Sequence, residues 1–226
     1  EDRAATYIVI AAYAEEAVIG EVVSRLRDGY PHVVVVDDGS PDETAARALE
    51  AGAVVVSHLV NRGQGAALQT GIAYSLAAGA RYVVTFDADG QHRPEDIPAL
   101  VGPLVRGEVD VCLGSRFLGD ADSVPLARRV LLSMAVIFTW VTSRMRVSDA
   151  HNGLRALSRA AAQRIDLQLD RMAHASEILD QIRQSGVRYR EVPVRIRYTE
   201  YSLAKGQRAS AALKVAFDYL IGRLLR

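Results

Sequence analysis

The sequence predicts a doubly wound α/β domain, on three observations. Short apolar, β-branched runs recur along the chain, each followed by a stretch with helical spacing of apolar residues. Several of these runs stop abruptly in carboxylates or glycine. Strand–helix–strand alternation of this kind builds a mostly parallel sheet flanked by helices. Ligands of such sheets collect beyond the carboxyl ends of the strands.

Taken in order, Tyr7 to Ala12 reads as a first strand, and Val18, Val22 and Leu26 give the following segment, ending near Asp28, a helical apolar face. Val33 to Val36 is a second buried strand ending in Asp37-Asp38-Gly39. Ser40, Pro41 and Glu43 then carry the signature of a helix start, with the helix ending near Ala51. Ala53 to Val56 is a third strand. The glycines of Asn61 to Gly71 superficially resemble a dinucleotide fingerprint, but they follow the third strand and not the first. A tight turn feeding a helix packed closely on the sheet accounts for them equally well, and the helix N-terminus would favour phosphate or ribose oxygens.

Val83 to Phe86 is the strand around which the chain is organised, because it ends in Asp87-Ala88-Asp89-Gly90-Gln91. Two carboxylates this close repel unless a cation lies beside them. Their hard oxygens suit Mg²⁺ or Mn²⁺, which take remaining ligands from water and substrate phosphates. Asp-x-Asp on its own is more often a loop start or a helix cap. Pro94 to Arg106 reads as a helix and Asp110 to Leu113 as a further strand. Arg116 beyond that strand suits either a phosphate or a surface ion pair.

From about 125 to 146 an amphipathic helix is expected, with arginines at both ends, fit for a core or for a membrane interface. The turn-rich Ser148 to Arg155 follows, with Asp149 and His151 as a base or acceptor-orienting pair. Glu177 lies on an expected helix and faces either solvent or the cleft. Val192 to Tyr198 alternates as a last strand, and Pro193 suits an edge or a strand start. Residues 206–226 are expected to form a basic, amphipathic C-terminal helix for a membrane surface or a partner.

Composition narrows the function classes. Lys+Arg and Asp+Glu are both 27, which argues against a nucleic-acid protein. The single cysteine, Cys112, excludes an internal disulfide or a cysteine-rich zinc site and reads as a buried thiol. No signal-like opening and no apolar run of roughly 18 residues is present. The expectation is a cytoplasmic protein, peripheral at the inner face of the membrane.

The ordered set of motifs resembles a family 2 glycosyltransferase of GT-A fold, in the dolichol- or polyprenyl-phosphate sugar synthase branch. It comprises Ala11-Ala12-Tyr13-Ala14-Glu15, Val36-Asp37-Asp38-Gly39-Ser40, Asn61 to Gly71, Asp87-Ala88-Asp89 with Gln91, Gly114-Ser115-Arg116, and Asp149 to Gly153. The resemblance implies a hexosyltransferase-type domain over residues 1–205, a nucleotide-sugar donor, Mg²⁺ or Mn²⁺, and a lipid-phosphate acceptor. It implies a donor pocket of Ala11, Ala12, Tyr13, Glu15, Val36, Asp38, Gln69, Ala88 and Arg116, with Asp87, Asp89 and Gln91 at the metal–diphosphate. Asp89, Arg116, Asp149 and Glu177 would be catalytic, and Arg128 and Ser133 would meet the acceptor phosphate. A homodimer or a membrane subunit would suit the C-terminal helix.

The sequence departs from the family pattern twice. Ala11 and Ala14 stand where Pro and Asn are usual, and Tyr198 to Gly206 replaces an Arg-x-x-Gly-x-Ser-Lys segment. Arg197 and Lys205 are candidates for the missing cationic contacts. A lipid phosphate needs no general base, whereas a saccharide hydroxyl would need Asp149 or Glu177. A sugar-nucleotide pyrophosphorylase would want a glycine-rich basic loop after the first strand, which Tyr13-Ala14-Glu15-Glu16 is not. A non-catalytic nucleotide-binding module at the membrane is the remaining rival.

Overall fold

The computed structural model describes residues 2–118, 145, 147–150, 152–168 and 173–197. Apart from Met145, the expected helices at 125–146 and 206–226, with Arg128, Ser133, His151 and Lys205, lie outside them. The described elements run β1 (Thr6–Ala12), α1 (Ile19–Arg27), β2 (His32–Asp37), α2 (Thr44–Glu50), β3 (Val54–Ser57), α3 (Gln64–Ala77) and β4 (Tyr82–Asp87). A 3₁₀ turn (Pro94–Asp96) then leads into α4 (Ile97–Val105), followed by β5 (Val111–Ser115), β6 (Arg155–Ser158), α5 (Arg159–Ala162), α6 (Ala173–Gln184) and β7 (Tyr189–Pro193).

One sheet of seven strands, in the order β3-β2-β1-β4-β6-β5-β7, forms the middle layer. β1 pairs in parallel with β2 and β4, β2 with β3, and β5 with β7. Only β6 runs against its neighbours, antiparallel to both β4 and β5. The period-two alternation of the strands divides the core. Ile8, Ile10, Val33, Val35, Val84 and Phe86 face one way, against Ile19, Val23 and Leu26 of α1 and Ile97, Leu100 and Leu104 of α4. Tyr7, Val9, Val34, Val83, Val111 and Leu157 face the other, against Leu68 and Ile72 of α3 and Ile178, Leu179 and Ile182 of α6. Each large apolar side chain buried this way contributes about 1.5–3 kcal/mol. Cys112 lies in the core, and burial pushes its thiol up to about 11.

Three local expectations are corrected. The helix after β2 starts at Thr44 and not at Ser40. Ser40 is drawn away because its Oγ accepts from the Ala14 N–H (3.0 Å), while Thr44 Oγ1 accepts from the Glu15 N–H (2.8 Å). The last strand occupies Tyr189–Pro193, earlier than its alternation suggested, because it is set by pairing with β5. Arg155–Ser158, of which only Arg155 had a reading, as the end of a turn-rich segment, is a central strand. Its run of Leu154, Ala156 and Leu157 is wholly buried, too short to announce itself by period.

Gly71 lies inside α3, where the helix sits directly on β1. A Cβ built there would lie 2.3 Å from Val9 Cγ1 and 3.2 Å from Val36 Cγ2. The close helix–sheet contact suggested by the glycine spacing is therefore real. Gly71→Ala will force α3 outward and cost about 1–3 kcal/mol by overpacking, read as a lowered urea midpoint with an unchanged slope.

Candidate active site

The carboxyl ends of β2, β1 and β4 bring the first group of expected residues together. Ala11 is in register with Val36 on one side and Asp87 on the other, and Ala12 pairs with Asp37. Ala88, next to Asp87, is buried, and Tyr13, just past the end of β1, is 46% exposed. Glu15 is buried close enough to Asp89 for its charge to be felt there.

The chain turns after Tyr13 through Ala14, whose φ is +53°. Left-handed backbone costs an L-residue with a Cβ about 1–2 kcal/mol, and Asn bears it better than Ala. The departure at Ala14 thus carries a conformational cost at the rim of the site. Ala14→Asn is expected to stabilise the fold by about 0.5–1 kcal/mol, measured as a raised thermal midpoint.

Asp38 does a different job from its neighbours. Its carboxylate accepts the backbone N–H groups of Arg62 (2.9 Å) and Gly63 (2.7 Å) and pairs with Nδ1 of His58 (2.7 Å). His58 Nε2 in turn meets Thr70 Oγ1 (2.9 Å). These bonds fold the glycine-bearing turn of α3 back over the end of β2, so Asp38 shapes the wall of the cleft.

Asp87 and Asp89 lie side by side at the end of β4. Burial, and then the Asp87 charge, hold the Asp89 carboxyl above its usual range. Asp89 accepts from the Gln91 backbone N–H (3.0 Å) and from Gln91 Nε2 (2.7 Å). Asp87 bonds His92 Nε2 (2.8 Å), with Gln64 Nε2 at 3.4 Å. Among the described residues no group of three or more His, Cys, Asp or Glu is arranged to hold a metal. A pair of repelling carboxylates with an amide beside them fits a cation that draws its other ligands from phosphates and water.

The raised Asp89 carboxyl has a sign that can be worked out. Between the ordinary carboxylate value and the raised one, the folded state keeps a proton that the unfolded chain releases. Stability therefore falls as pH rises through that window, and the ionised pair is a cost at neutral pH. Without added metal, Asp89→Asn will melt higher than the parent chain near pH 7, and the gap will close as the pH falls toward about 4.

A second cluster holds Arg116. Its Nε (2.6 Å) and its backbone N–H (3.1 Å) both donate to Asp149 Oδ2, which Asn152 Nδ2 also approaches (3.3 Å). The turn carrying Asp149 is fixed by Glu191 of β7, whose Oε1 accepts from Ser148 N–H and Oγ (2.7 Å each) and from Asp149 N–H (3.3 Å). Between the two clusters stands Arg155 of β6, 2% exposed. Desolvation lowers its guanidinium to about 10, while the charges of Asp87 and Asp149 act to keep it protonated. It remains a cation at neutral pH.

Gln69 and Glu177 are not in this cleft assembly but work on one short segment elsewhere. Gln69 Oε1 accepts from Leu167 N–H (2.9 Å), and the buried Glu177 carboxylate accepts from Gln168 N–H (3.1 and 3.2 Å). Both brace the chain between α5 and α6. Arg197 donates its backbone N–H to Gln91 O (2.9 Å), so the chain beyond β7 runs along the loop that follows Asp89.

His92, Arg155, Gly153, Asn152 and Glu191 went unassigned in the sequence reading. His92 follows Gln91 directly and was open to detection. Arg155 was not, because its importance depends on β6 entering the sheet between β4 and β5.

This sheet, with its switch of direction at β6, is the GT-A fold. The chain superposes on Mycobacterium tuberculosis glucosyl-3-phosphoglycerate synthase in complex with Mn²⁺ and UDP-glucose, with a TM-score of 0.71 and 24% identity over 96% of this chain and 78% of that one. The Glycosyl transferase family 2 profile matches residues 7–166. The chain is 32% identical to the UDP-N-acetylglucosamine–dolichyl-phosphate N-acetylglucosaminyltransferase of Methanococcus voltae, over 95% of this chain and 94% of that protein. It is 32% identical to the polyprenol monophosphomannose synthase of Mycolicibacterium smegmatis, over 98% and 89%. The protein belongs to glycosyltransferase family 2 and is a glycosyltransferase.

Proposed function

We propose that the protein is an inverting, metal-dependent transferase that moves a sugar from a nucleotide-sugar donor to a polyprenyl or dolichyl phosphate at the membrane surface. The observation that carries this reading is the Asp87–Asp89 pair at the end of β4, where burial and a like charge oppose ionisation of Asp89. Such a pair at neutral pH calls for a cation. Asp87 and Asp89 would hold Mg²⁺ or Mn²⁺ with Gln91 beside them. When bound, the cation would neutralise charge developing on the leaving diphosphate.

This chain's own residues supply the remainder. Ala11, Ala12, Tyr13, Glu15, Val36 and Ala88 form the donor wall, and Asp38 holds the turn that borders it. Arg116, oriented by Asp149, faces the departing phosphates. The acceptor oxygen attacks the anomeric carbon opposite the leaving group, so one displacement inverts the configuration.

The hydrogen bonding of the two candidate bases supports an acceptor that needs neither. Asp149 is tied to Arg116 and Asn152, and Glu177 to the Gln168 backbone. A phosphate monoester is already anionic and requires neither as a proton acceptor. The names of the two relatives point the same way. Arg128 and Ser133 are the sequence's candidates for that phosphate. The amphipathic character of 125–146 and 206–226 supports docking at the cytoplasmic face of a membrane, with a homodimer or a membrane subunit as companions of the C-terminal helix. No described helix is long and apolar enough to cross a membrane.

A thermal-shift panel of nucleoside diphosphates and sugar nucleotides, with and without Mn²⁺, tests the reading. One sugar nucleotide should stabilise the fold only with metal, by about 2.7 kcal/mol at a hundred times its Kd. Asp89→Ala should abolish both that shift and transfer to a polyprenyl phosphate. A panel without any metal-dependent shift would overturn it.

A further inference from the structure

We propose that His92 and Gly153 are positioning residues that fix the Asp87 carboxylate for the cation. The inference rests on the reading of Asp87 as a metal-site ligand. Two independent contacts on one carboxylate carry it.

The first contact is the His92 imidazole, 3% exposed and set edge-on to Phe86. A carboxylate only accepts, so His92 Nε2 carries the hydrogen and donates to Asp87 Oδ2 (2.8 Å). Its Nδ1 is buried with no partner. Leaving a buried polar atom unmatched costs about 1–3 kcal/mol. An apolar ring against Phe86 would avoid that cost, so packing does not explain the imidazole. The bond to Asp87 does.

The second contact is backbone. A Cβ on Gly153 would fall 2.2 Å from Asp87 Oδ1, 2.3 Å from Oδ2 and 2.5 Å from Cγ. The carboxylate therefore rests directly against the Gly153 main chain. Nothing larger than glycine leaves it in place. Gly153 is itself clamped: its carbonyl accepts from Thr85 Oγ1 (2.6 Å), and the next N–H, of Leu154, donates to Asn152 Oδ1 (3.0 Å). Asn152 also reaches Asp149, the partner of Arg116. The glycine thus seats one end of the metal site against the element that orients the phosphate-facing arginine.

Neither residue is expected to touch substrate. The test measures Mn²⁺ binding directly, from the paramagnetic resonance of free Mn²⁺, with UDP and separately with GDP present. His92→Phe keeps the ring and removes the donor. His92→Gln keeps a donor near the Nε2 position. Losing an outer partner of a metal ligand costs about 10–100-fold in affinity. His92→Phe should weaken Mn²⁺ binding by at least about tenfold, and His92→Gln should recover most of it. Gly153→Ala should lose measurable binding while keeping the parent circular dichroism. Equal impairment of His92→Phe and His92→Gln would assign His92 to packing and overturn its role. Parent-like Mn²⁺ affinity in His92→Phe and Gly153→Ala would overturn the whole inference. If Gly153→Ala fails to fold, the His92 pair decides alone. If the parent chain binds no Mn²⁺ with either nucleotide, the metal reading itself fails, a result distinct from altered affinity in the variants, and the inference falls with it.

Discussion

Negative charge crowded at one end of the sheet governs this site. Asp87, Asp89 and Glu15 converge at one end of the sheet, and Asp149 lies across β6 from them. Burying ions carries a penalty of several kcal/mol each unless partners repay it. Arg155 is the internal repayment, because its cation serves Asp87 and Asp149 together from the middle of the sheet. What it leaves uncompensated is the local repulsion between Asp87 and Asp89. A protein built only for stability would not keep that repulsion, whereas the divalent ion proposed for this site would relieve it.

The same arrangement explains why the cleft is divided as it is. Parallel strands β1 to β3 and their loops make up the side proposed for the donor, with the Asp38 carboxylate fixing the shape of the Arg62–Gly63 turn. Strands β5 and β7 and the turn at Ser148 form the side that orients Arg116, through Asp149 and Glu191. Among the described residues, the two sides are joined through β4 and β6. Residues of modest chemical interest on their own, Thr85, Asn152 and Gly153, become consequential because they lie at that seam.

Most of the parallel half was legible in the sequence. Valine runs ending in Asp37 and Asp87 announce buried strands by composition and their ligand ends by the sudden carboxylates. The helix-packing role of Gly71 could also be read from its spacing, because a helix close to a sheet needs a small residue. The other half was not legible, for a physical reason. β6 is four residues long and wholly surrounded, so it shows neither alternation nor length. Once it was missed, Arg155 looked like any arginine near a turn. The backbone bonds of Gln69 and Glu177 were hidden for a related reason: polar side chains on helices can be taken up by neighbouring backbone, and only the fold shows which.

The late arrival of β6 in the chain has a consequence for how the molecule comes into being. Thr85 and Gly153 are 68 residues apart, yet their contact is part of the site. During synthesis β1 to β4 emerge first, and until β6 follows, the valine-rich β4 is an open sheet edge, of the kind that recruits stray strands. Pairing across so long an interval is slow to form, since the intervening chain must be ordered before the contact is gained. Sealing that edge and delivering Gly153 and Arg155 to Asp87 are one event. The step that removes this aggregation-prone edge is therefore also the step that seats the Asp87 carboxylate.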